Sequence, residues 1–189
     1  LMNNIDFAMK KGDFAFLLGR NGCGKTTLLK MICGMENPDS GEIKIGSNIK
    51  IGYYDQIQEN LDTGKTVIDE VWDEYPKMTE TQIRNALAAF LFRGEEVFKN
   101  IGNLSGGERA RVQLVKLILK PVNFLILDEP TNHLDIDSKE ALERALEQYD
   151  GTVLAVSHDR YFINKLATKI INFEKDKLKT YDGNYEYFT

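Results

Sequence analysis

The chain has 189 residues, 42% hydrophobic and 28% charged, with 24 Lys plus Arg against 29 Asp plus Glu for a formal net charge of -5. That composition is enough for a sizeable core and excludes general disorder, and the acidic balance excludes a surface that is basic throughout and clamps nucleic acid. Cys23 and Cys33 lie in one short stretch and make no disulfide or metal framework, no apolar run approaches the about 20 residues of a bilayer span, and early charges at Asp6, Lys10, Lys11 and Asp13 exclude a signal peptide, so a soluble, cytoplasmic chain is expected.

Ile5, Phe7 and Met9 alternate with Asp6, Ala8 and Lys10, the period of a half-buried strand. Lys11-Gly12-Asp13 is a turn, and Phe14 to Leu18 is a nearly all-apolar run, typical of a strand buried on both faces. A glycine-rich segment follows, then a helix carrying Leu28, Leu29 and Ile32 that Gly34 stops. After a turn at Pro38-Asp39-Ser40-Gly41, Ile43 and Ile45, then Ile49, Ile51 and Tyr53, form two alternating stretches. They predict a small antiparallel sheet beside the main one.

Residues 58–103 change character and read as a compact helical insert. Thr66 to Tyr75 is predicted helical. Thr79 with Gln82 can form a capping box for a helix running to about Phe92, packed through Leu87, Phe90 and Leu91. Glu95, Glu96 and Lys99 fall in an irregular polar stretch. Beyond the insert the buried-strand pattern returns. Residues 108–120 read as a helix with Val112, Val115 and Leu119 on one side, and Asn123 to Leu127 as a buried strand. Ser138 to Tyr149 is predicted as a helix with Ala141, Leu142, Ala145 and Leu146 inward and Lys139, Glu140, Glu143, Arg144 and Glu147 in solvent. Val153 to Val156 is another buried strand, Tyr161 to Thr168 a helix and Lys169 to Phe173 an edge strand. Strands alternating with helices give a layered α/β fold.

Gly19-Arg20-Asn21-Gly22-Cys23-Gly24-Lys25-Thr26 matches GxxxxGK[ST], between a buried strand and a helix where that motif has physical meaning. The glycines let backbone N–H groups curl around anionic oxygens, and the helix points its positive end at the same place. Lys25 can reach the outer phosphates, the Thr26 hydroxyl can bind Mg²⁺, and Thr27 is a secondary contact. Cys23 is read as a small tolerated loop residue.

Phe124 to Leu127 drives a strand into the core, and Asp128 and Glu129 follow at its C-terminal end, where open α/β sheets hold ligands. Adjacent carboxylates point differently, which suits two tasks. Asp128 would hold Mg²⁺ alongside Thr26, and Glu129 would orient the attacking water. No Asn-Lys-x-Asp guanine-reading signature follows, since Asn164-Lys165-Leu166-Ala167 lacks the acidic fourth member, which favours ATP over GTP.

Leu104-Ser105-Gly106-Gly107-Glu108 places a serine and two glycines at a second helix N-terminus. One chain already has a nucleotide cradle, so a second suggests service to another domain's phosphate. These motifs together resemble the ATP-binding cassette (ABC) family. Residues 104–108 match its signature, Gln56 its Q-loop glutamine, Asn132-His133-Leu134-Asp135 its D-loop region and Ser157-His158-Asp159-Arg160 its switch segment. The resemblance implies a P-loop NTPase fold of the ABC type over residues 1–189: a mostly parallel core sheet, a small antiparallel β subdomain incomplete at the N-terminus, and the 58–103 insert leading to the signature.

It further implies ATP and Mg²⁺ held in a head-to-tail pair, between one domain's Lys25 loop and the other's Ser105 signature. Gln56 would approach Mg²⁺ and the attacking water, His158 would contact the γ-phosphate and steady Glu129, and Asp135 would couple the two sites. The family's adenine-stacking aromatic lies upstream of residue 1, and Phe7 and Phe14 are too close to the phosphate loop for that role. His133 is read as structural.

Finer cues resemble the ABC-F group of soluble twin-cassette proteins, especially their second cassette: Ile51-Gly52-Tyr53-Tyr54-Asp55-Gln56, Asp128 through Asp137 reading DEPTNHLDID, Ser157 through Phe162 reading SHDRYF, and Tyr181 through Tyr185 reading YDGNY. That resemblance implies a second cassette in the same chain, a ribosome and rRNA partner reached by the whole protein, and ATP-driven action on translation, including protection from ribosome-targeting antibiotics. A head-to-tail homodimer is a further arrangement of the same surfaces. Two other functions stand beside this one: a transporter's cytoplasmic ATPase subunit, and an ATP-dependent scaffold without turnover, against which Glu129 argues.

Overall fold

Three short apolar runs, Phe14–Leu18, Phe124–Leu127 and Val153–Val156, become the centre of one sheet. The computed structural model describes residues 5–55, 61–174, 177–184 and 186. In chain order its main elements are β1 (Phe14–Leu18), α1 (Lys25–Ile32), β2 (Ile51–Tyr54), α2 (Val67–Trp72), α3 (Glu80–Ala89), α4 (Gly106–Leu119), β3 (Phe124–Asp128), α5 (Ile136–Glu147), β4 (Thr152–Val156), α6 (Arg160–Leu166), β5 (Lys169–Glu174) and β6 (Lys177–Asp182). The chain divides into two units. Leu1–Gln56, Pro121–Pro130 and Asp150–Thr189 form the first, and Ile57–Lys120 with Thr131–Tyr149 form the second. The helical unit therefore takes in α5 as well as the segment before the signature.

In the first unit six strands run in the order β2-β3-β4-β1-β5-β6. All neighbours pair parallel except β5 with β6. Every residue of β3 and β4 is buried, as continuous Leu, Ile, Val and Ala runs require when both sheet faces are covered. Alternation along β1 divides its side chains. Ala15 and Leu17 join Leu28, Leu29 and Ile32 of α1 with Ile126, Leu154, Val156 and Ile171. Phe16 meets Phe162 of α6 edge to face, with ring centroids 5.7 Å apart. The strand ends that carry the acidic pair are thereby fixed beside the start of α1. This is the α/β P-loop fold with a mixed sheet and a helical insert.

The sheet corrects three expectations. Residues 5–10 are not a strand: Ile5, Phe7 and Met9 lay their apolar sides on the core, yet the segment pairs with no strand among the described residues. Residues 42–50 form no antiparallel sheet. Ile43, Ile45 and Ile49 remain 39–43% exposed, whereas Ile51 to Tyr54 join the main sheet parallel to β3. Alternation supplies one face of a strand, but a ladder also needs a neighbouring backbone, and an isolated two-stranded ribbon is marginal in water. Finally, β5 is an interior strand, because β6 pairs along its whole length and carries the antiparallel part of the sheet.

In the second unit the helix starts follow their capping residues. Thr66 and Thr79 cap α2 and α3, and Thr79 closes the expected box with Gln82: the Gln82 N–H donates to Thr79 Oγ1 at 3.3 Å and the Thr79 N–H to Gln82 Oε1 at 2.8 Å. Ile83 and Leu87 of α3, Val67 and Val71 of α2, and Val112, Leu114 and Val115 of α4 build the apolar interior. Thr79→Ala should cost about 1 kcal/mol, read as a lowered urea midpoint, with Thr79→Ser retaining most of the stability. Lys116 of α4 pairs with buried Glu70 and, at 3.0 Å, with Glu74. Glu143 departs from the expected solvated face of α5. It is 3% exposed, on the side that also carries Leu142 and Leu146.

Candidate functional site

Between β1 and α1 the chain turns through Gly19–Gly24. Gly19 is required by close approach: a Cβ there would lie 2.9 Å from Phe173 Cβ and 3.0 Å from Cys23 Sγ. Gly24, at the N-cap of α1, has φ +95, and no side chain caps the helix. Its first N–H groups therefore face the loop's interior rather than a capping oxygen, the arrangement that receives anions. Lys25 is 8% exposed, and its ammonium donates to the carbonyl oxygens of Gly19 at 2.9 Å and Arg20 at 3.0 Å, with Cys23 Sγ at 3.9 Å. Arg20, Asn21 and Gly22 are exposed on the loop, Thr26 is exposed in the first turn of α1, and Thr27 is half-buried.

The Thr26 hydroxyl donates to Asp128 Oδ2 at 2.7 Å across 102 residues of sequence. Asp128 is buried, which pushes its pKa up. The Thr26 hydrogen bond pulls down and the carboxylate of Asp55 adds to the rise. Glu129 leaves the strand with φ 50 while its N–H still donates to Val156 O at 2.9 Å. That left-handed turn sends its carboxylate away from Asp128 to meet His158 Nε2 at 3.2 Å. Burial raises the Glu129 pKa, and the neighbouring His158 pulls against it. The His158 side chain is 59% exposed, so one side of the pair opens to solvent. The two adjacent carboxylates thus point to different neighbours. Gln56 lies outside the described residues, as do Tyr185 and Tyr187. Asp55, just before Gln56, is half-buried.

These groups fit a magnesium–triphosphate. Thr26 and Asp128 offer hard oxygen donors at the loop that carries Lys25 and the free N–H groups. No cluster of three His, Cys, Asp or Glu side chains with metal-binding spacing occurs among the described residues. A cation held by Thr26 and Asp128 would complete its shell from phosphate oxygens and water, as Mg²⁺ commonly does.

The signature lies in the helical unit. Leu104 is buried, and Ser105 caps α4 reciprocally: the Glu108 N–H donates to Ser105 Oγ at 3.2 Å and the Ser105 N–H to Glu108 Oε2 at 2.8 Å. Glu108 also pairs with Lys99 at 3.2 Å. Gly107 is pressed against the turn before α5, since a Cβ there would lie 2.8 Å from His133 O. Asp135 caps α5 by accepting from the Ser138 N–H at 2.8 Å, and the Ser138 hydrogen bonds hold its carboxyl below the usual range. Sequence reading missed two contacts at these sites, Phe173 against Gly19 and His133 against Gly107. Phe173 is more than 150 residues from Gly19 and nothing local marks it. His133 sits in an NHLD turn whose backbone conformation no periodicity reveals.

Residues 2–132 match the protein family described as ABC transporter. The protein YdiF of Bacillus subtilis (strain 168) is 52% identical over 100% of this chain, which covers 29% of that protein. The energy-dependent translational throttle protein EttA of Escherichia coli (strain K12) is 40% identical over 98% of this chain and 34% of its own length. The solved structure of RNase-L Inhibitor superposes with a TM-score of 0.73 at 25% identity, covering 94% of this chain and 36% of that one. The chain spans about a third of the length of the curated relatives it matches.

Proposed function

The chain belongs to the ATP-binding cassette family, and from that premise we propose that it is an ATP-hydrolysing cassette of the ABC-F type that acts in translation as part of a twin-cassette protein. The observation that carries the ATPase reading is the convergence of three strand ends. The Lys25 loop follows β1, Asp128 ends β3 with Glu129 just beyond it, and His158 follows β4. Thr26 with Asp128 supplies the hard oxygens of a Mg²⁺ site, and Lys25 with the free N–H groups of α1 neutralises phosphate charge. When bound, Mg²⁺ offsets negative charge on the β- and γ-phosphate oxygens.

Glu129 orients the attacking water and draws on its proton, and His158 holds the Glu129 carboxylate in place from the solvent side. Gln56 completes the cation and water contacts. Ser105, Gly106 and Gly107 meet the nucleotide of a facing cassette, with Leu104 and Glu108 anchoring that turn and Asp135 coupling the two sites. A γ-phosphate held from both sides favours closure of the pair, and its loss releases it.

The translational assignment is supported by the similarity to EttA, whose name states an energy-dependent action on translation. No helix among the described residues is long and apolar enough to cross a membrane. In the test, full-length Glu129→Gln protein is incubated with ribosomes and ATP or ADP and sedimented. Co-sedimentation with ATP, lost with ADP, is expected. Ribosome-free protein under ATP, together with co-purification of a membrane permease, would instead identify a transporter subunit.

A further inference from the structure

His133 has a left-handed backbone, with φ 63, and its side chain is exposed. The imidazole makes no hydrogen bond or ion pair with any described residue, so the side chain does not explain the conformation. The turn does. The Leu134 N–H donates to Thr131 O at 3.3 Å, which puts His133 at the third turn position, where a positive φ favours glycine or asparagine. Both flanks are tied down. Thr131 and Leu134 are buried, and Asp135 is fixed as the cap of α5. The carbonyl of His133 then fills the space beside Gly107 in which a side chain would otherwise stand, because a Cβ on Gly107 would come within 2.8 Å of that oxygen and 3.9 Å of its carbon.

We propose that His133 is a positioning residue for the signature turn, acting through its backbone: its left-handed conformation places the carbonyl that seats Gly107, and so sets the direction of the Gly106 and Gly107 backbone groups. The inference rests on the composite site proposed above, where those groups meet another cassette's triphosphate. Relaxing residue 133 to negative φ swings its carbonyl, and the first turn of α4 loses its stop. The seat also links the Asp135 loop to the signature within one helical unit, so a displacement of either is felt by the other.

The test uses the full-length protein with His133→Gly, His133→Asn and His133→Val. Glycine and asparagine accept a positive φ without an imidazole, and valine strongly resists it. The glycine and asparagine variants should keep ATP turnover within about twofold of wild type. His133→Val should lower kcat by about tenfold or more, with equilibrium binding of a fluorescent ATP analogue within about twofold. Thr79→Ala, which weakens the same unit away from the turn, should keep kcat and so separates positioning from general instability.

Turnover by His133→Val equal to wild type overturns the proposal. So does an equal loss in all three variants, which would assign the role to the imidazole. Ser105→Asp keeps a good N-cap but sets a negative charge against the facing triphosphate. If Ser105→Asp turns over normally, the composite site fails and takes this inference with it. If Ser105→Asp is inactive while His133→Val is not, only the present inference fails.

Discussion

Glu129→Gln in the full-length protein should lower ATP turnover by about 10²–10⁴-fold, the range for loss of a positioned general base, and leave nucleotide binding intact. The substitution keeps the shape of the side chain and its place beside His158 but removes the charge that accepts the water's proton. Binding should survive because, in the proposed site, the phosphate contacts come from the Lys25 loop and the start of α1 rather than from Glu129. Single-turnover hydrolysis of radiolabelled ATP, with binding measured separately, reads the two effects apart. His158→Ala should also lower turnover, by less, because it leaves the carboxylate present but unheld at its 3.2 Å contact. The two losses should not add, since both act through one carboxylate. Equal rates for wild type and Glu129→Gln, after contaminating ATPases are excluded, would falsify the role given to Glu129.

Lys25→Ala should weaken ATP binding by about 100-fold or more, a loss on the scale of one or two charge-assisted hydrogen bonds. Lys25 is a buried residue whose ammonium is held by the carbonyls of Gly19 and Arg20, so its charge acts with reduced solvent screening. Lys25→Arg should not restore affinity, because a planar fork does not occupy the space of a compact ammonium within this turn. Titration with a fluorescent ATP analogue measures the effect, and the thermal midpoint without nucleotide checks that the sheet is intact. Unchanged affinity in both variants would place the nucleotide elsewhere on the molecule.

Much of the fold could be read directly. The strands β1, β3 and β4 are short apolar runs flanked by turn residues, and such runs have little choice but the centre of a covered sheet. The Lys25 loop was readable because its chemistry is local: glycine spacing, one lysine and one threonine between a strand and a helix. The caps at Thr79 and Ser105 were readable for the same reason, since an N-cap answers to residues two and three positions away.

The errors fall where a residue's fate depends on a distant partner. Ile43 and Ile45 alternate as a strand should, but no backbone among the described residues accepts their ladder. Lys169 to Phe173 read as an edge because nothing near it announced that Lys177–Asp182 would pair alongside. Glu143 read as solvated because its charge spoke for the surface, while the packing of α5 placed it on the inner face.

By itself the sequence determined the buried strands β1, β3 and β4, the helix starts with local caps, the glycine–lysine loop between a strand and a helix, and which two carboxylates stand at the strand end. All of these follow from steric and hydrogen-bonding rules that act within a few residues. Tertiary structure alone decided that Asp128 meets Thr26 and Glu129 meets His158, that Phe173 closes on Gly19, and that His133 turns left-handed beneath Gly107. Those contacts join segments that only the completed sheet and helical unit bring within reach, and their direction is set by burial and packing rather than by any local preference.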